Sequence, residues 1–74
     1  MASLPTISGR AAVAAFLKAG FEPKRQTGSH IILAKSGTFL TLSVPNHREL
    51  KPGTLRALVR KSGLSVAAFT ELLR

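Results

Sequence analysis

The hydropathy period of this chain changes twice, and that change constrains the fold more than any single residue does. Val13, Phe16 and Leu17 recur at i, i+3 and i+4, the spacing of one helix face. From His30 to Val44 the chain is β-branched or alternates at every second position, with Leu40, Leu42 and Val44 interleaved by Thr41 and Ser43. Leu55, Leu58 and Val59 then restore the helical spacing. A helix, a group of strands and a second helical region are therefore expected within one short chain.

Local punctuation sharpens the boundaries. Residues 1–7 have no period and include Pro5, so they read as a flexible N-terminal arm, with residues 8–74 as a single domain. Ser8 is placed to cap a first helix over 9–19, which Lys18 and Gly20 close. Residues 21–26 carry Pro23 and two cations, a composition suited to an edge strand. Thr27, Gly28 and Ser29 supply a turn into a strand over 30–35. Ser36 and Gly37 turn the chain again into a strand over 38–44. Pro45 ends the sheet, and a polar connection leads to Pro52, which suits a first helical position. Gly63 and Leu64 have the form of a left-handed cap, and Ser65 can cap a short last helix bearing Val66, Phe69, Leu72 and Leu73. The expected class is α+β: three antiparallel strands in a meander, helices on one face, and a short extra C-terminal helix.

Composition decides what such a fold can do. Of 74 residues, 11 are Lys or Arg and only 3 are acidic, for a formal net charge of +8. Leu, Ile, Val and Phe make up about 30% of the chain, above the roughly 20% below which charged chains stay disordered. A folded cationic domain favours an anionic partner, because each neutralised phosphate releases counterions. The chain lacks Cys, Asp, Tyr and Trp, which excludes disulfides, thiolate nucleophiles, Cys-built zinc sites and a Ser-His-Asp triad. No apolar run approaches the ~20 residues of a membrane span, and the N-terminus has no secretory-signal pattern. The expectation is a cytoplasmic protein that does not engage membranes.

The chemistry left to such a chain centres on imidazole, the side chain whose reference pKa, about 6.5, permits proton transfer in both directions near neutrality. Strand alternation puts Leu40, Leu42 and Val44 on one face with Ile31 and Leu33, under the helices. It leaves His30 on the open face beside Ile32 and Phe39, which become candidate contacts for another protein. The opposite register would bury His30 and require a hydrogen-bond partner for it. Gly28 and Ser29 place His30 just after a tight turn whose backbone a phosphate can approach. Lys24 and Arg25 before the turn, and Lys35 after it, are expected to flank the imidazole, although a solvated basic edge would look the same. A second cationic group, Lys51, Arg56, Arg60 and Lys61, clusters about the helix that Pro52 opens. A basic helix beside a three-stranded sheet resembles a reader of double-stranded RNA. His47 and Glu49 lie two apart in the connection, where loop hydrogen bonding is their default role. No metal or other cofactor is expected, since nothing has the spacing of a catalytic zinc site.

Several of these pieces occur together in a recognisable order: Gly28-Ser29-His30, Val44-Pro45-Asn46-His47, Glu49 through Arg56 in Glu-Leu-Lys-Pro-Gly-Thr-Leu-Arg, and Gly63-Leu64-Ser65. From about residue 8 onward the chain resembles the HicA toxins. That resemblance implies a fold like that of double-stranded-RNA-binding domains, α-β-β-β-α, and an mRNA interferase held inactive by a HicB antitoxin. It also implies that the histidine of the Gly-Ser-His motif, here His30, is catalytic. Ser65 to Arg74 would extend the minimal fold, for packing or self-association, so a homodimer or a hetero-oligomer with the antitoxin is allowed. His30 would act as general base on a ribose 2′-hydroxyl or as general acid on the leaving 5′-oxygen, without metal. His47, water or a lysine would supply the other half. The rivals are a non-catalytic double-stranded-RNA-binding module and a protein whose basic surface fits an acidic protein partner.

Overall fold

The structure, a computed structural model, describes residues 3–74; the first two residues of the expected arm lie outside them. Residues 3–7 form no element, yet Leu4 and Ile7 pack on the core and the Ile7 carbonyl accepts a hydrogen bond from the Leu50 N–H at 2.8 Å. The elements that follow are α1 (Gly9–Lys18), β1 (Phe21–Thr27), β2 (His30–Lys35), β3 (Thr41–Pro45), α2 (Pro52–Ser62) and α3 (Val66–Leu72). The strands form one antiparallel sheet in the order β1-β2-β3. This is the α+β arrangement the periodicity predicts.

The caps explain where the helices begin and end. The Ser8 hydroxyl accepts from the Ala11 N–H at 3.1 Å, and the Ser65 hydroxyl from the Ala68 N–H at 3.0 Å. Gly63 stops α2 at φ +85°, a conformation that costs a side-chain-bearing residue about 1–2 kcal/mol. Buried Ser62 helps there, donating to the Val59 carbonyl and accepting from the Leu64 N–H.

One face of the sheet is closed by helices. Phe21, Leu33, Leu42 and Val44 are buried on it, against Leu55, Leu58 and Val59 of α2 and Ala12, Ala15 and Phe16 of α1. Phe69 of α3 completes the cluster, its ring centroid 5.0 Å from that of Phe16. The C-terminal helix thus places its largest side chain in the core.

Three local expectations are corrected. Of the stripe expected on α1, Phe16 is buried, but Leu17 is 39% exposed and Val13 only half-buried, while Gly9, Ala12 and Ala15 go inside with Phe16. The reason is close approach: a Cβ on Gly9 would collide with the Pro45 carbonyl, so the small-residue face of the helix is the one that fits against β3. The third strand begins at Thr41 and not at Thr38, because the chain spends residues 36–40 on a wider turn. Phe39 therefore lies in the turn, outside the ladder that would have set it beside His30. On β1, the edge position of Pro23 agrees with its missing N–H, and the register shifts between Pro23 and Arg25, leaving Lys24 as the extra residue of a bulge.

Candidate functional site

The turn before β2 is two residues long, since Thr27 pairs directly with His30. Gly28 takes φ +54° and, among the described residues, none other than glycine has a positive φ, the arrangement of a type II′ hairpin with glycine first. His30 is consequently the first residue of the central strand, paired with Thr27 on one side and Pro45 on the other.

Register then assigns the open face row by row. Directly opposed residues share a face, so the first row is Thr27, His30 and Pro45, the second Arg25, Ile32 and Ser43, and the third Glu22, Ala34 and Thr41. His30, Thr27, Arg25 and Ser43 are exposed, and Ile32 and Pro45 half-buried. The imidazole stands on a face that no helix covers, with two hydroxyls and a guanidinium in its own row or the next. Arg25 is its diagonal neighbour, at the roughly 7–8 Å Cα spacing of such positions.

The end of the sheet that carries His30 is braced from behind. The Asn46 N–H donates to the Ser29 carbonyl at 2.6 Å, tying the connection after β3 to the Gly28-Ser29 turn. The Gly9 N–H donates to the His47 carbonyl at 2.9 Å, joining the start of α1 to the same connection. His47 is exposed and two residues beyond the strand partner of His30, so the two imidazoles belong to one end of the molecule, their Cα atoms within about 13 Å by chain geometry. Exposed Glu49 is not ion-paired with His47 among the described residues.

The predicted cations separate into three places. Arg25 joins His30, with Lys24 nearby on the bulge, where its Nζ lies 3.5 Å from a Glu22 carboxylate oxygen. Lys35 does not flank the imidazole: five residues along β2, about 17 Å away, it faces the helix side, its Nζ 5.6 Å from the centre of the Phe21 ring. Alternation alone gives this placement, because an odd offset along a strand changes face. Lys51, Arg56, Arg60 and Lys61 are all exposed, but α2 packs on the helix side of the sheet, away from the face of His30. Arg56 and Arg60 flank a cleft of about 250 Å³ that continues to Leu64, Ser65 and Val66.

Thr27, Ser43 and Pro45 are the neighbours of His30 that sequence reasoning missed. Their residue types carry no signal; only the pairing of both outer strands with β2 brings them together. Among the described residues no cluster of three His or Glu side chains gathers as a metal-ligating group, and no helix is long and apolar enough to cross a membrane.

Compared with curated proteins and with solved structures, the chain has no match. Residues 9–64 do match a family model described as the HicA toxin of bacterial toxin-antitoxin. The matched span begins where α1 abuts Pro45 and runs through the Gly-Ser-His turn, the His47 connection and the cap of α2. By that match, which covers well over half of its length, the chain belongs to the HicA toxin family of bacterial toxin–antitoxin systems.

Proposed function

We propose that this toxin is an endoribonuclease that cleaves mRNA with His30 as its proton-transfer group, and that a HicB antitoxin neutralises it by covering the face on which His30 stands. The observation carrying this reading is the exposed position of His30 at the head of the central strand, on a helix-free face beside Thr27, Arg25 and Ser43.

The ribose 2′-oxygen gives up its proton, attacks the adjacent phosphorus and displaces the 5′-oxygen, which takes a proton as it leaves. The products are a 2′,3′-cyclic phosphate and a free 5′-hydroxyl, and no metal takes part. Arg25 is the nearest permanent cation on the open face and would hold the phosphodiester. Gly28 and Ser29 would let the strand approach the backbone, and Lys24 would add longer-range attraction. One imidazole cannot give and take a proton in the same concerted step, so His47, a water or a lysine completes the transfer. Positioned proton transfer supplies about 10²- to 10⁴-fold, which makes this a slow nuclease. The cations of α2 and Lys35 would guide RNA to the molecule without touching the scissile bond.

The test is His30→Ala, assayed with RNA in the presence of a chelator in the cytoplasmic pH range. The variant should keep the circular dichroism of the parent, bind RNA and the antitoxin, and cut RNA about 10²- to 10⁴-fold more slowly. Parent products should end in a 2′,3′-cyclic phosphate. RNA bound but never cut by the parent would favour the double-stranded-RNA-binding module instead, and undiminished cutting by the variant would remove His30 from the chemistry.

A further inference from the structure

The chain has four phenylalanines, and three are core: Phe16, Phe21 and Phe69 are each 3% exposed or less. The fourth, Phe39, is 105% exposed, as open to water as it would be in an extended chain. It is also held in place. Gly37 takes φ +80°, and the Thr38 N–H and hydroxyl both donate to the Lys35 carbonyl, at 3.2 and 2.9 Å. The same hydroxyl accepts from the Leu40 N–H at 3.1 Å, the Lys35 N–H donates to the Leu40 carbonyl at 3.2 Å, and Leu40 packs on the core. The residues on either side of Phe39 are fixed, and the ring projects between them.

We propose that Phe39 is a stacking platform for an unpaired nucleobase of single-stranded RNA, a binding subsite separate from the cleavage centre. The proposal rests on RNA being the ligand of this face-exposed histidine protein, and its test is chosen to fail independently of the cleavage reading. Three observations favour a base over a pocket on a protein. The ring is isolated: Ser36, Gly37 and Thr38 are small, exposed and not apolar, whereas an aromatic anchor of a protein interface sits within a ring of packed contacts. Both faces are free, and a planar base needs only one, with stacking that tolerates any base. The charge is right for a polyanion, with a net +8 overall, Lys35 in the same hairpin, and Glu22, on the strand paired with Lys35's, met by Lys24. The position also fits. Phe39 lies just past the end of β2, roughly 20 Å from His30, a span that about three nucleotides of an unstacked strand can bridge. A base held there would fix where along the RNA the scissile linkage falls.

The experiment uses the absence of tryptophan from the chain. Phe39→Trp in the otherwise unaltered full-length protein gives a single indole, titrated with a mixed-sequence 2′-O-methyl RNA 12-mer, which the proposed ribose attack cannot cut, and with inorganic polyphosphate. The RNA should quench the indole emission and the polyphosphate should not. Phe39→Ala should bind the 12-mer about 5- to 100-fold more weakly, with the salt dependence of binding unchanged because no ionic contact is lost. Emission unmoved by saturating RNA, or Phe39→Ala binding within twofold of the parent, overturns the proposal and leaves the cleavage reading intact. Phe39→Ala that loses the antitoxin but keeps RNA assigns the ring to a protein pocket and overturns it as well. A parent that binds no RNA overturns both readings together.

Discussion

Two glycine-bearing turns bound the central strand, and they place their exposed ring residues by different means. At one end the Gly28-Ser29 turn is as short as a hairpin allows, and His30 is already in the ladder, held by Thr27 and Pro45 on either side. Behind it, Gly9 and Asn46 tie the start of α1 and the connection after β3 to the same corner. At the other end, residues 36–40 make a wider loop whose shape depends on one side chain, the Thr38 hydroxyl, and Phe39 stands outside the ladder altogether. The titratable ring is oriented by the sheet and the apolar ring by a loop. A proton donor or acceptor must be within hydrogen-bond reach of the reacting atom, and a sheet position fixes that. A stacking surface tolerates more movement, and a loop suffices.

The largest difference should appear in the rate of the chemical step. His30→Ala removes the proposed proton-transfer group and should lower the cleavage rate at saturating RNA by about 10²- to 10⁴-fold. Phe39→Ala should leave that rate unchanged and raise the RNA concentration needed to reach half of it. Single-turnover cleavage across a range of RNA concentrations separates the two effects. The contrast breaks if Phe39→Ala lowers the saturated rate as His30→Ala does, since both rings would then serve the same step.

Next in size is the bracing of the two ends. Gly9→Ala drives a methyl group into the Pro45 carbonyl, a collision with backbone that no rotamer relieves. Overpacking of this kind costs about 1–3 kcal/mol or more, visible as a lower urea midpoint. Amide exchange should quicken at Asn46 and His30 before it does at Leu40. Gly37→Ala meets nothing within 4 Å, and only its φ of +80° is strained, so about 1–2 kcal/mol is expected, with the exchange localised to residues 36–40. Equal protection loss at both ends in either variant would show that the turns are not independent.

These differences follow what was legible in the sequence. Caps and periodicity located the helices well because Ser8, Pro52, Gly63 and Ser65 act on the backbone beside them. Alternation put His30 on the open face for the same local reason. What failed was set by contacts far apart in sequence. The buried face of α1 depends on how near it comes to Pro45, and nothing within residues 9–18 encodes that distance. The start of β3 depended on whether Thr38 paired across the strand or bonded its own turn, and a threonine serves equally in both. The neighbours of His30 needed both outer registers, including a bulge at Lys24. Lys35 was a different kind of error, because the alternation that placed His30 also puts position 35 on the other face.

A smaller effect tests the hairpin itself. Thr38→Val keeps the β-branched shape and removes the hydroxyl that joins Lys35 to Leu40. Hydrogen bonds at so exposed a site contribute modestly, so about 0.5–1 kcal/mol of stability should go. In the Phe39→Trp background the same change should weaken RNA-dependent quenching, because the ring would no longer be pre-positioned. Unchanged quenching would mean that the threonine only decorates the loop.

The smallest effect is the stability change of Phe39→Ala. Truncating a buried phenylalanine such as Phe16 costs about 3–5 kcal/mol, from lost transfer energy and the cavity left behind. Phe39 has no burial to lose, since its exposure already equals that of an extended chain, so its truncation should shift the unfolding free energy by no more than about 0.5 kcal/mol. Any larger loss in urea titrations would mean that the ring packs against the protein, and a packed ring has no free face to offer a base. A near-zero change in stability together with a clear loss of RNA affinity is the pairing that a surface kept open for a ligand should give, and that a structural phenylalanine cannot.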